Sequence, residues 1–263
     1  MKRLYSAVMM SLFLLPLVAS AQNQFDGTWK VDMNKVDFPK KPDVYLLQNG
    51  MYECKSCVPV VNVKADGQDQ KVTGHPYYDS VAVKVISDHE VEETDKRDGK
   101  VVGTFKMKVA SDGKTMTFEF TDSSNTNGAP VTGSGESERV AKGPDGSNAI
   151  SGSWRTTKMQ NLSDNAITWT YRVSGDELTM TNPTGQTYTA NLNGTEAPMQ
   201  GDPGVSNVSV KMMGKDTLVE TDSRDGKVVS VTKLTIASDG KALHIVNEDK
   251  VHGTSMKYEA MKQ

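Results

Sequence analysis

One stretch of this chain is a copy of another. Asp95-Lys-Arg-Asp-Gly-Lys-Val-Val102 returns as Asp222-Ser-Arg-Asp-Gly-Lys-Val-Val229, and Ala110-Ser-Asp-Gly-Lys114 returns at Ala237 to Lys241, both 127 residues on. The same offset pairs Gly67 with Gly194, Pro76 with Pro203, Val81 and Val83 with Val208 and Val210, and Glu93-Thr-Asp95 with Glu220-Thr-Asp222. Farther upstream, Gly27-Thr-Trp-Lys30 pairs with Gly152-Ser-Trp-Arg155 at an offset of 125. The chain is therefore a tandem of two modules. The polar, Gly- and Pro-punctuated stretch Ala141-Lys-Gly-Pro-Asp-Gly-Ser-Asn148 has the chemistry of a linker between them. These boundaries give module 1 at 22–140, a linker at 141–149 and module 2 at 150–263.

Within a module the hydrophobic period is two. Val81, Val83 and Val85 alternate with Ala82 and Lys84, Phe105, Met107 and Val109 with Lys106 and Lys108, and Met116, Phe118 and Phe120 with Thr117 and Glu119. Arg97-Asp-Gly-Lys100 and Ser111-Asp-Gly-Lys114 place Asp-Gly where a tight hairpin needs positive φ, and both hairpins recur in the second copy. Eight or nine strands per module in up-and-down order, with no helix, predict two tandem antiparallel β-barrels, because closure removes exposed sheet edges.

The N-terminus predicts export. Lys2 and Arg3 precede an apolar run from Ala7 to Val18 that is too short to span a bilayer, and Ala19-Ser-Ala21 offers a small-x-small cleavage site. Residues 1–21 are thus expected to be a signal peptide, and the protein periplasmic or secreted. No later apolar stretch suits a membrane span. Without Lys2 and Arg3 the chain carries 28 basic and 33 acidic side chains, spread along its length, which argues against a nucleic-acid partner.

Each module opens on Gly-x-Trp followed by a basic residue and continues as a hairpin-connected antiparallel chain. In this it resembles the lipocalin (calycin) superfamily. It also resembles uncharacterised exported bacterial proteins that carry one or two Gly-Thr-Trp-Lys modules with Asp-Gly-Lys hairpins. The lipocalin resemblance implies eight-stranded barrels, each closed at one end by a tryptophan with an arginine of the last strand packed across it. Trp29 and Trp154 match the tryptophan, Arg139 matches the arginine in module 1, and Lys257 or Lys262 stands in that neighbourhood in module 2. It further implies a small hydrophobic or amphipathic ligand.

Cys54 and Cys57 are the only cysteines, so in an oxidising compartment they are expected to pair. The repeat sets them against the turn Thr181-Asn-Pro-Thr184, which reads as a turn staple rather than a redox site. None of His75, His89, His244 and His252 recurs in the other copy, which suits solvated loops; no metal site or cofactor is expected. Glu93 and Asp95, with their twins Glu220 and Asp222, share one strand face. They read as a solvated outer face, with an acid/base pair or cation site as the alternative. No motif for nucleophilic catalysis is present, and no catalytic residue is assigned.

The apolar stripes either fill the barrels or line a cavity. Val81, Val83, Phe105, Met107 and Phe118, with Val208, Val210, Leu234 and Ile245, are the residues expected to meet a small apolar ligand. The expectation is a non-enzymatic carrier. The rival readings are a structural or protein-interaction module of the cell envelope, with no partner indicated, and more remotely an enzyme using the repeated carboxylates.

Overall fold

A computed structural model describes residues 23–263; the leader read at 1–21 lies outside the described residues. Among the described residues, twenty strands form two ten-stranded, nearly closed antiparallel sheets, so both modules are all-β barrels as the period-two pattern expects. No helix among them is long and apolar enough to cross a membrane.

The chain begins with strand β1 (Gly27–Val31) and continues through β2 (Asp43–Gln48), β3 (Met51–Cys54), β4 (Val61–Lys64), β5 (Gln70–Lys71) and β6 (Ser80–Ser87). Then come β7 (Glu90–Arg97), β8 (Lys100–Val109), β9 (Thr115–Asp122), β10 (Val131–Lys142) and β11 (Gly152–Gln160). A four-residue helix, α1 (Asp164–Ile167), leads to β12 (Thr168–Ser174), β13 (Glu177–Thr181), β14 (Thr187–Asn191) and β15 (Asn193–Pro198). The last strands are β16 (Asn207–Met213), β17 (Thr217–Arg224), β18 (Lys227–Ile236), β19 (Ala242–Asp249) and β20 (Thr254–Lys262).

The two modules exchange their first strands. β1 does not join β2; it lies between β12 and β20 in the second barrel. β11 takes the equivalent place between β2 and β10 in the first barrel. The first barrel is therefore β2–β11 and the second is β1 with β12–β20. Residues 32–42, which include Pro39 and Pro42, cross between barrels at one point, and the segment containing α1 crosses back. Each barrel accepts the other's strand because the two present the same pattern: Gly27 stands opposite Tyr171 as Gly152 stands opposite Tyr45.

This corrects the module boundaries read from the repeat. Residues 141–149 are not a linker: 141–142 end β10, and 143–149 lie in the connection of the β10–β11 hairpin within the first barrel. Ile150 is fully buried in that barrel's core, and the Ser151 hydroxyl accepts from Leu47 N–H at 2.9 Å. The polar composition that reads as a linker belongs to the exposed tip of this return, Pro144-Asp-Gly146.

Both tryptophans are fully buried and close their barrels, each in the barrel opposite to its own repeat. Trp154 Nε1 donates to Ile150 O at 2.8 Å, and Trp29 Nε1 donates to Phe25 O at 2.9 Å. Arg139 lies directly across from Trp154 on β10, its guanidinium 3.9 Å from the ring centroid, and it also donates to Ser151 O at 2.7 Å and Ala149 O at 2.6 Å. Lys262 holds the same register against Trp29, at 5.2 Å. Arg139 thus covers Trp154, not Trp29, and Lys262 rather than Lys257 is its counterpart.

The glycine of Gly-x-Trp follows from the same contact. Gly27 and Gly152 have φ of 129° and 130°, and a Cβ at Gly152 would stand 2.8 Å from Arg139 Nη1, while one at Gly27 would stand 2.7 Å from Lys262 Cε. Only glycine leaves room for the cation to lie over the ring.

The remaining seams are nearly closed. Gly67 N–H donates to Val83 O at 2.8 Å beside the free edge of β4, and Thr187 and Gln200 exchange backbone hydrogen bonds of 3.0 and 2.9 Å beside β14. Cys54 and Cys57 form a disulfide across the turn after β3, where the second barrel has the turn after β13.

Removing a closing tryptophan should cost about 3–5 kcal/mol in the barrel that holds it. Hydrogen-exchange mass spectrometry should find that W154A loses protection across 43–142 and W29A across 168–262. Loss of protection confined to each residue's own repeat would contradict the exchange.

Candidate functional site

The repeated Glu-Thr-Asp element does not form the solvated face expected of it. On β7 the inward stripe begins with Val91, fully buried, so by the two-residue period Glu93 and Asp95 also point into the barrel. Leu218, Glu220 and Asp222 repeat this on β17. The outward acids are their neighbours: Glu90 and Glu92 reach Lys108 and Lys106 on β8 at 3.1 and 3.8 Å. A β-bulge follows each inward aspartate, between Asp95 and Lys96 and between Asp222 and Ser223. Bulges of this kind re-aim side chains beside functional sites.

In the second barrel Glu220 is the centre of a hydrogen-bonded group. Its Oε2 accepts from Tyr188 Oη at 2.6 Å and from Tyr171 Oη at 3.4 Å, while Asp222 Oδ2 accepts from Ser230 Oγ at 2.6 Å. Burial, and next the nearby Asp222, push the Glu220 carboxyl up to about 8, against the opposing pull of the two tyrosine hydroxyls. Burial also raises Asp222. In the first barrel, burial raises Glu93 with Tyr52 opposing it, and burial followed by Glu93 and Asp122 brings Asp95 to about 7. Asp95 faces Gly103, the counterpart of Ser230, and so lacks the hydroxyl that Asp222 has.

Both carboxyl groups face cavities. Glu220 opens onto one of about 410 Å³, and Glu93 and Asp95 onto one of about 300 Å³. Tyr77, Asp122 and Ser124 line both, so the two barrels open onto a shared vestibule. Tyr77 reaches across it to donate to Asp202 Oδ1 at 3.0 Å, and its hydroxyl occupies the space a Cβ at Gly204 would need, 2.0 Å away.

The cavities differ because three inward positions differ. Opposite Glu93 on β8 stands Phe105, packed 5.6 Å centroid to centroid from Phe118, with Phe120 beyond. The corresponding residues of the second barrel are Thr232, Ile245 and Asn247, with Asn247 Nδ2 donating to Thr232 Oγ1 at 2.8 Å. The phenylalanine rings of the first barrel lie over Gly135 and Gly133, where a Cβ would meet them at 2.3 and 2.7 Å. Large rings therefore narrow one barrel, and smaller side chains at the same positions leave the other more open.

Of the residues expected to meet a ligand, Leu234 and Ile245 line the larger cavity and Phe105 the smaller. Val81, Val83, Met107, Phe118, Val208 and Val210 are instead buried in the filled parts of the two barrels. The sequence reading misses Glu220, Tyr171, Tyr258 and Trp169 as cavity residues, and Tyr188 as a partner of Glu220. The first was legible from Leu218-x-Glu220, an acid on an otherwise apolar stripe. Two further polar atoms on residues lining this cavity, Trp169 Nε1 and Asn165 Oδ1, are buried with no hydrogen-bond partner among the described residues.

His75 and His252 line one further pocket, with Asp249 beside them, and His89 and His244 lie elsewhere. His75 stacks on Tyr78 at 4.6 Å, His252 pairs with Asp249 at 2.6 Å, and His244 lies 3.3 Å from Glu259. Among the described residues no three His, Cys, Asp or Glu side chains gather to hold a metal ion.

The geometry defines a strand-exchanged double β-barrel with an acidic, aromatic-walled cavity. No protein-family model matches the chain, and no curated protein sequence matches it.

The raised carboxyl groups carry a stability signature. A group whose pKa is higher folded than unfolded stabilises the fold below its ordinary pKa, and that contribution disappears as pH rises through the folded value. Tm should fall by several degrees between about pH 5 and about pH 8.5, and E220Q should flatten the decline. A Tm that rises across this range would contradict the inward placement of these acids.

Proposed function

We propose that this chain is an exported, non-enzymatic binding protein whose second barrel holds a small amphipathic molecule. The observation that carries this reading is the cavity of about 410 Å³ lined by Thr232 and Ile245, larger than the one of about 300 Å³ that Phe105 and Phe120 narrow in the first barrel. Its volume is within the range of small-molecule sites, and its walls combine Leu234, Ile245 and Met180 with a few convergent polar groups. Export is supported by the leader at 1–21. A lipocalin-like relationship is supported by the cation over each closing tryptophan, although each barrel has ten strands rather than the eight that the resemblance implies.

One observation favours a second reading. A carboxyl brought to about 8 and facing a cavity suits general acid–base catalysis at neutral pH. Under that reading a bound compound would change mass on incubation and E220Q would stop the change.

Native mass spectrometry of protein purified from its own host, followed by organic extraction, should find one small molecule per chain. T232F, which installs the first barrel's phenylalanine, should lose it while keeping its β-sheet circular dichroism. Absence of any bound molecule, together with unchanged Trp169 emission across small neutral, cationic and anionic aromatic probes, would overturn the binding reading.

A further inference from the structure

Resting on that reading, we infer that the ligand of the second barrel is a small organic cation, an ammonium group on an apolar or aromatic body, seated with its charge on Glu220. The acidic side chains lining the cavity are Glu220 and Asp122; no Lys, Arg or His lines it. A carboxylate or phosphate headgroup would enter between two acids with no counter-charge, so fatty acids and other anions are disfavoured.

The carboxyl is also prepared on one side only. Both tyrosine hydroxyls bond to Oε2, and no hydrogen bond among the described residues uses Oε1. An ammonium donating to Oε1 would complete the group without displacing either tyrosine. A positive charge beside Glu220 also lowers its pKa, reversing what burial does to the empty site.

The aromatic walls suit the same guest. Tyr171, Tyr258 and Trp169 line the cavity together with Glu220, and the Trp169 and Tyr171 rings meet edge to face, 6.2 Å apart at 74°. Rings set at an angle around a carboxylate give an ammonium ring faces on more than one side, the arrangement by which aromatic cages hold amines. Leu234, Ile245 and Met180 then receive the apolar body. Asp122, contributed by the first barrel, puts a second negative charge on the cavity wall and favours the approach of cations.

The test uses the full chain and three probes of similar size: 2-phenylethylammonium, 3-phenylpropanol and 3-phenylpropionate, titrated calorimetrically and by Trp169 emission. The ammonium should bind about tenfold or more tightly than the alcohol, and the carboxylate most weakly. E220Q should erase the preference for the ammonium over the alcohol; D122N, at a second position on the wall, should weaken the ammonium by a few fold. Equal affinity for ammonium and alcohol, or an unchanged preference in folded E220Q and D122N, would overturn the inference while leaving the binding reading intact. Binding of none of the three would overturn both.

Discussion

The fold depends on a tryptophan held under a cation by a strand borrowed from the other module. Trp154 is buried beneath Arg139 and Trp29 beneath Lys262, and each is delivered by a strand that precedes or follows the barrel it closes. The ring can be covered only because a glycine two residues earlier takes positive φ and clears the space above it. The short motif is thus a packing unit: glycine for room, tryptophan for apolar area, and an opposing basic residue for the lid. Since β1 and β11 carry the same unit, each barrel receives the other's strand in the same register. The exchange also links the two barrels at two crossings, at residues 32–42 and in the segment containing α1.

The exchange brings the two open ends together. Tyr77 and Asp122 of the first barrel help to line the second barrel's cavity, and Tyr77 occupies space that Gly204 leaves free. Against this near-symmetric frame the functional difference is made by few residues. Phe105, Phe118 and Phe120 over Gly133 and Gly135 narrow one barrel; Thr232, Ile245 and Asn247 open the other. The inward acids are common to both barrels, but only Glu220 is held by two tyrosine hydroxyls beside a cavity large enough for a guest.

Much of the architecture was legible in the sequence. Period-two stripes and Asp-Gly hairpins give the barrels, and Asp98 and Asp225 do take positive φ, at 51° and 52°. The cysteine pair opposite a repeat turn gives the staple. The exchange was not legible, because Gly27-Thr-Trp-Lys and Gly152-Ser-Trp-Arg are interchangeable at the level of pattern, and sequence order assigns each to its nearer module. The inward acids were misread for a different reason. Taken alone, Glu93 and Asp95 look solvated; read with Val91 two residues earlier they continue a buried stripe, and Lys106 and Lys108 then pair with the alternate acids Glu92 and Glu90. The tyrosines around Glu220 come from three strands far apart in sequence, which no local pattern joins.

The strand exchange is tested most directly by a cross-strand disulfide. Thr28 on β1 and Thr170 on β12 face each other with their hydroxyls 2.8 Å apart, whereas an unexchanged β1 would set Thr28 against Val44, as Ser153 is set now. T28C/T170C should form an intramolecular disulfide spontaneously in the folded monomer, and T28C/V44C should keep two free thiols. The reverse pattern would contradict the exchange and, with it, the shared vestibule at which the second barrel's cavity opens.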